Sequence, residues 1–429
     1  MINSNFQGYS KSLVERIDLG SIEGPRGFDY LQWLQFFKAD TLDAFIQLQK
    51  TYPRIASFPW PMNSVIIYDP ELINDLLVKN YRDFQKGDQV LEVSAVIGRG
   101  IAVNNNFKSW SRKRAIIAKD FSRPNIVTFE NVIRRITQQK FSSFSSIEKV
   151  EIFDFFKDIT FEISCETLLG KRLSSEESSR FKEALEVCSE ISFKRVFQLL
   201  PLPYWVATKD NLDFQHHYKI LESIIIEIIE SSNSSNSSGV LRSLLGSENH
   251  LLQEEIRDEL LTLLIAAHET TAYTLGWAIC LMTKEGGFER ENYEEIIYET
   301  MRLYPALPLF SRKAVQDTEL GNIKIPKNTN IVVPAHVLHR MNEFWESPES
   351  FMPSRFSDTT ISSLSHYLPF GKGARKCLGE FLSMNIMKII LEEFFKTFEI
   401  DTQISRLPKA KISVALSPSE DIYLKLKRK

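Results

Sequence analysis

The chain has 429 residues, 43% of them hydrophobic and 25% charged, with a formal net charge of −3. That composition is ordinary for a globular enzyme, and the nearly balanced charge excludes a bulk attraction to nucleic acid or to an anionic membrane surface. Its four cysteines, Cys165, Cys188, Cys280 and Cys377, are widely separated and unpaired in spacing, which suits a reducing cytoplasm better than a disulfide scaffold.

Taken in chain order, Met1 to Glu23 carries Lys11, Glu15, Arg16 and Asp18. It has no apolar run near the ~20 residues a spanning helix needs and no signal-peptide core, so no membrane anchor is expected. Ile55 to Tyr68 reads as a strand pair around a Trp60-Pro61 turn, with Val65, Ile66 and Ile67 as its apolar part. Pro70, suited to a first helical turn, opens a short amphipathic helix to Asn80. From Trp110 to about Arg302 helical periodicity dominates. Ser231 to Gly239 is a Ser/Asn tract too polar to bury, expected as a loop between two helices. Short strands follow at Ile323–Ile325 and Ile331–Val333. A last helix runs from about Glu380 to Phe398 with Leu382, Ile386, Ile390 and Phe394 on one face. The sum is a mainly α chain with small β-sheets.

Three stretches carry chemistry. Glu254 to Met282 reads as one helix, at 1.5 Å per residue about 43 Å long, enough to cross the molecule. Its apolar middle is interrupted by His268-Glu269-Thr270-Thr271. Polar groups there are costly unless paired or functional, and an acid beside a hydroxyl can relay protons. A kink made by threonine bonding back to the preceding turn explains the same residues and is compatible with the relay. Glu299 and Arg302 lie three apart on a helix, hence on one face; alone, such a pair is also what a solvated surface gives. Finally, Phe370-Gly371-Lys372-Gly373-Ala374-Arg375-Lys376-Cys377-Leu378-Gly379 reads as a glycine-rich turn presenting one thiol just before a helix. Gly371 and Gly373 allow backbone angles other residues reach with strain. Peptide N–H groups and the helix start are expected to lower the thiol pKa. One cysteine cannot build a zinc site, but one thiolate suffices as the axial ligand of a haem iron.

Phe370, Gly373, Arg375, Cys377 and Gly379 fill the fixed positions of a pattern that resembles the haem-binding signature of the cytochrome P450 family. The resemblance extends to Ala266 to Thr271, similar to the family's central-helix motif with Glu269 and Thr270 as the acid–alcohol pair. Ala267 stands where glycine is common and His268 at a variable position. Glu299-Thr300-Met301-Arg302 and Pro353-Ser354-Arg355-Phe356 resemble the family's Glu-x-x-Arg element and its arginine partner; Trp110 and Arg114 resemble its Trp-x-x-x-Arg helix motif. Met341-Asn342 departs from the usual Asp-Pro.

The resemblance implies a single domain over residues 1–429, with haem b between the long central helix and the helix that follows the cysteine loop. It implies Cys377 as iron ligand with Phe370 packed beside the sulfur, and Gly371 in the turn. Gly379 would let the helix approach the macrocycle. Arg375, Trp110, Arg114 and Arg312 would bind propionates, and a buried Glu299–Arg302–Arg355 network would fix the loop. The implied activity is insertion of one oxygen atom from O2 into a hydrophobic small molecule, such as a lipid, fatty acid or terpenoid, with Glu269 and Thr270 managing protons. Electrons would come from a separate ferredoxin- or flavodoxin-type donor and its reductase, docked on positive charge from Arg112, Lys113, Lys372, Arg375 and Lys376. A peroxide-driven hydroxylase and a haem sensor are the alternatives; neither needs both Glu269 and Thr270. The substrate pocket is expected to be lined by Val90–Ile101, Leu264–Thr271, Ala306–Phe310 and Leu416–Ser419.

Overall fold

The structure is a computed structural model that describes residues 17–59, 62–144, 146–196, 202–232, 238–286, 292–357 and 360–429. The Trp60-Pro61 turn, the start of the N-terminal segment and the centre of the Ser/Asn tract lie outside the described residues.

The central helix runs from Gln253 to Lys284. It is buried on nearly every side, as expected of a helix that is apolar around its whole circumference. The helix Ile152–Ser164 lies along it. Gly276 makes that approach possible: a Cβ there would come within 2.3 Å of the Phe153 ring. Higher up the same pair, Thr160 donates its hydroxyl to the His268 carbonyl at 3.1 Å. Helices Ser175–Val196 and Lys209–Glu230 pack on each other, and the second also meets the central helix. The helix Glu380–Thr397 packs against Glu130–Ser142 and the central helix, burying Leu382, Ile386, Ile390 and Phe394 as expected.

The main sheet has five strands in the spatial order Ile55–Phe58, Ser64–Ile67, Asn330–Val333, Phe310–Ala314 and Phe84–Lys86. The second and third pair in parallel and the others antiparallel. This register sets Lys86 directly across from Arg312. The Pro70 helix is capped by Asp69, whose carboxylate accepts from Glu71 and Leu72 N–H. Beyond Asn74 it widens into a π-type turn, Asp75–Lys79. That turn carries the Leu77 carbonyl so close to Gly373 that a Cβ there would lie 2.0 Å from it.

Several strands were not anticipated, among them Phe84–Lys86 of the main sheet and Thr318–Leu320, which pairs with Ile323–Ile325. Ile147–Glu151 interrupts the helical tract and pairs with Tyr423–Arg428, which also pairs with Phe398–Ile400. Ala410–Ile412 and Leu416–Pro418 form a hairpin. No described helix is long and apolar enough to cross a membrane.

Candidate functional site

The cysteine loop is built by backbone geometry. Gly371 and Gly373 adopt φ of +67° and +74°, the left-handed region that a side chain disfavours. The Cys377 N–H then donates to the Phe370 carbonyl at 2.9 Å, and the helix begins at Glu380 immediately after Gly379. Of the four cysteines, Cys377 alone is exposed; the others are buried. Desolvation by surrounding protein nevertheless pushes its thiol up. Accessible surface combined with strong desolvation describes a recess inside the protein. The sequence reading expected a lowered thiol pKa. A Gly379 N–H bond, Arg114 and Lys376 do act downward, but burial outweighs them. At Gly379 an added Cβ would make only ordinary contacts, 3.8 Å from Cys377 Sγ and 3.9 Å from Phe121. Protein packing alone therefore does not demand a glycine there.

Four cations converge beside the thiol. Arg114 comes from helix Phe107–Ala118, Arg375 from the cysteine loop, and Lys86 and Arg312 from paired strands. Arg114 donates to the Lys376 carbonyl at 2.6 Å, Arg375 to Asn104 O at 3.0 Å, and Arg312 to Ser311 O at 2.8 Å. Trp110 is buried, with the Arg375 guanidinium 4.5 Å and that of Arg114 5.6 Å from its ring centre. No carboxylate among the described residues pairs with any of the four. Burial and then mutual repulsion lower the pKa of Lys86, Arg312 and Arg375 together. Positive charge gathered in a low-dielectric recess without an anion is unfavourable and calls for an anionic group from outside the chain. Two carboxylates carried by a flat apolar ligand, as in haem b, satisfy that need, and an accessible thiol satisfies the iron. The residues present fit the group. Lys86 escaped the sequence reading; pairing with Arg312 through a three-residue strand is its only marker.

The Glu299 element is buried and not a surface pair. Both side chains are 0% exposed, with Arg302 Nε 2.7 Å from Glu299 Oε2. Arg302 also donates to the carbonyls of His339, Pro348 and Ser350, and Glu299 accepts from Met352 N–H and Arg355 Nε. These bonds hold the chain that leads into the cysteine loop.

On the central helix, Ala266 is exposed and Ala267, Glu269, Thr270 and Tyr273 are partly so, although the residues around them are buried. Mid-helix exposure of this kind means that protein does not fully cover this stretch of the helix. The Thr270 hydroxyl donates to Ala266 O at 2.7 Å, the local distortion expected of threonine. Burial raises Glu269 to about 7, against Lys157, which acts downward. His268 lies on another side: its ring packs edge-on against Phe161, and burial lowers it to about 3, so it is neutral. Two of the expected lining segments are joined where Leu416 N–H donates to Ala306 O at 2.9 Å, while Trp277 Nε1 donates to Leu416 O. Leu307 is half exposed, whereas Val96, Ile97 and Ile101 are buried.

The expected docking charge is also corrected. Lys113 is not surface charge: it is 1% exposed and lies 3.1 Å from buried Glu259. Arg112 is paired with Glu255, and Arg375 belongs to the inner cluster. Neighbouring helical residues point in different directions, so Arg112 and Lys113 do not join Lys372 and Lys376 in one surface patch.

The family profile for cytochrome P450 matches residues 24–296 and 292–426, and the chain belongs to that family. It is accordingly a cytochrome P450 monooxygenase whose cofactor is haem b. Relatives include Cytochrome P450 4V2 of Pongo abelii, 25% identical over 88% of this chain and 82% of that protein. Cytokinin hydroxylase of Arabidopsis thaliana is 25% identical over 89% and 80%. Cyclooctatin synthase of Streptomyces melanosporofaciens is 24% identical over 73% and 76%. Among solved structures, the haem domain of a cytochrome P450DA mutant superposes with a TM-score of 0.79 at 19% identity, covering 95% of this chain and 98% of that one. It is a likeness of fold.

Proposed function

We propose that this protein, as one domain, hydroxylates or otherwise oxygenates an apolar small molecule of the lipid, fatty acid or terpenoid kind. Cys377 would be the iron ligand, Lys86, Arg114, Arg312, Arg375 and Trp110 the propionate site, and Glu269 with Thr270 the proton-handling pair. The observation that carries this assignment is the cluster of four cations, with no carboxylate paired to them among the described residues, beside an accessible thiol. When bound, haem b supplies the activation of dioxygen.

The chain's own residues do the rest. Cys377 would hold the iron as a thiolate and supply it with electron density. The arginines and Lys86 would orient the cofactor through charge-assisted bonds to its carboxylates. Thr270 keeps lone pairs on Oγ1 while donating to Ala266 O, so its hydroxyl can accept a proton from one side and give one to the other. Glu269, near half protonated at neutrality, can both release and recapture a proton. The apolar lining excludes bulk water and offers a hydrophobic substrate its burial energy.

Electrons would reach the site from a ferredoxin- or flavodoxin-type donor, met in the cytoplasm at the rim of the cysteine loop by Lys372 and by Lys376, which is itself paired with Glu380. Turnover with dioxygen plus a surrogate ferredoxin and reductase, set against turnover with peroxide alone, tests the reaction class. The account expects the first to exceed the second. A panel of apolar compounds screened for a substrate-induced shift of the haem absorption band tests the substrate class, and a response confined to charged compounds would reject it.

A further inference from the structure

The neighbour of Glu269 on the flanking helix is Lys157. Four contacts fix its height. One turn before it, Phe153 packs on Tyr273 at 6.0 Å between ring centres and against Gly276. One turn after it, Thr160 bonds the His268 carbonyl and Phe161 meets the His268 ring. Residues three and four apart share a helix face, so Lys157 faces the central helix at the level between His268 and Tyr273, which is the level of Glu269. Its Nζ lies 5.4 Å from the Tyr273 ring centre and donates to Asp154 at 2.9 Å. Asp154 is 70% exposed and Lys157 24%. The ammonium thus lies between a surface carboxylate and the face of the central helix that carries Glu269 and Tyr273.

We propose that Lys157 is a positioning residue for the proton-handling acid: tethered by Asp154 at the surface, its ammonium sets the charge state of Glu269 in the interior. The inference rests on the reading of Glu269 as the acid of the reaction. Burial works against the Lys157 charge, but the carboxylates of Asp154 and Glu186 act to hold it cationic. Lys157 therefore does not hand on its own proton at neutral pH; it acts through its field. The other groups facing this region are accounted for. Glu186, from helix Ser175–Val196, pushes Glu269 upward. Tyr273, pushed up by burial to about 12, stays neutral. His268 is neutral, and Lys182 is paired with Asp158. Among the described residues, Lys157 is thus the cation that acts on Glu269 against its desolvation.

The test uses the haem-loaded enzyme and two readouts. Difference infrared spectroscopy follows the protonated carboxyl band of Glu269 between pH 5 and 9, assigned by its loss in Glu269→Gln. Oxygen consumption driven by a plant ferredoxin and its NADPH reductase, with dodecanoic acid as probe, is measured in H2O and D2O. Lys157→Met raises the midpoint by about 1 pH unit or more and enlarges the solvent isotope effect, and Lys157→Arg restores both. Asp154→Asn, which frees the ammonium for Glu269, lowers the midpoint. If Lys157→Met and Asp154→Asn leave midpoint and isotope effect where they were, while Glu269→Gln alters the isotope effect, the inference is wrong and the role of Glu269 stands. If Glu269→Gln leaves the isotope effect unchanged, the underlying reading has failed instead.

Discussion

Two groups of buried cations sit within this fold and obey opposite rules. Arg302 and Arg355 are neutralised by Glu299 and by backbone carbonyls, all supplied by the chain. Lys86, Arg114, Arg312 and Arg375 gather with carbonyl acceptors and a tryptophan face, and with no carboxylate among the described residues. The first arrangement is complete in itself and therefore structural. The second has no carboxylate partner among the described residues, and in the proposed assignment the haem carboxylates would complete it.

The difference can be broken experimentally, beginning with the largest effect. Removing one partner of a closed buried network strands the others, so Glu299→Ala or Arg302→Ala should cost about 3–5 kcal/mol, read as a lowered unfolding midpoint in urea with or without haem. An unchanged midpoint would make the network dispensable.

A buried acid on the central helix gives the next effect, with a definite pH sign. Glu269 titrates near 7 in the fold against an ordinary 4.5. Its burial therefore costs nothing below about pH 4.5, and the cost grows as pH rises and is complete above about 7. Glu269→Gln removes it, stabilising the protein at pH 8 by up to about 3 kcal/mol and not at pH 4.5. Thermal melts at the two pH values check this; equal shifts would contradict the raised value.

Arginine truncation in the open cluster should then separate the two groups by sign. Arg114→Ala or Arg375→Ala removes a charge-assisted bond to the cofactor, weakening haem retention by about 1.5–3 kcal/mol, while relieving repulsion in the haem-free protein, whose melting point should hold or rise. A haem-free protein destabilised as much as by Arg302→Ala would erase the distinction. The smallest structural effect belongs to Thr270→Ala. It should leave the fold intact and raise the fraction of oxygen consumed without product; unchanged coupling removes Thr270 from the proton path.

Much of this was legible in the sequence because its parts are local. The glycine turn, the Glu299–Arg302 spacing and the polar break at Glu269-Thr270 each lie within a few residues, where backbone geometry maps directly onto spacing. What escaped depended on distant pairing. Lys86 becomes part of the site through one ladder with Arg312. Tyr423–Arg428 is held by Ile147–Glu151 from the middle of the chain, although the alternation that buries Leu424 and Leu426 was a readable period-two signal. Lys113 was misplaced because a run of like charges was taken as one patch, whereas helical rotation sends it inward to Glu259. The sign of the thiol shift was missed for a related reason: glycines and a helix start are visible in sequence, but the desolvation that outweighs them is a property of the assembled recess.

The most direct measurement is the absorption of the dithionite-reduced, carbon-monoxide-treated protein before and after Cys377→Ala. Thiolate ligation by Cys377 predicts the long-wavelength band characteristic of a sulfur-bound haem in the native protein and its disappearance in the variant. A native protein without that band, or a variant that keeps it, would contradict the account.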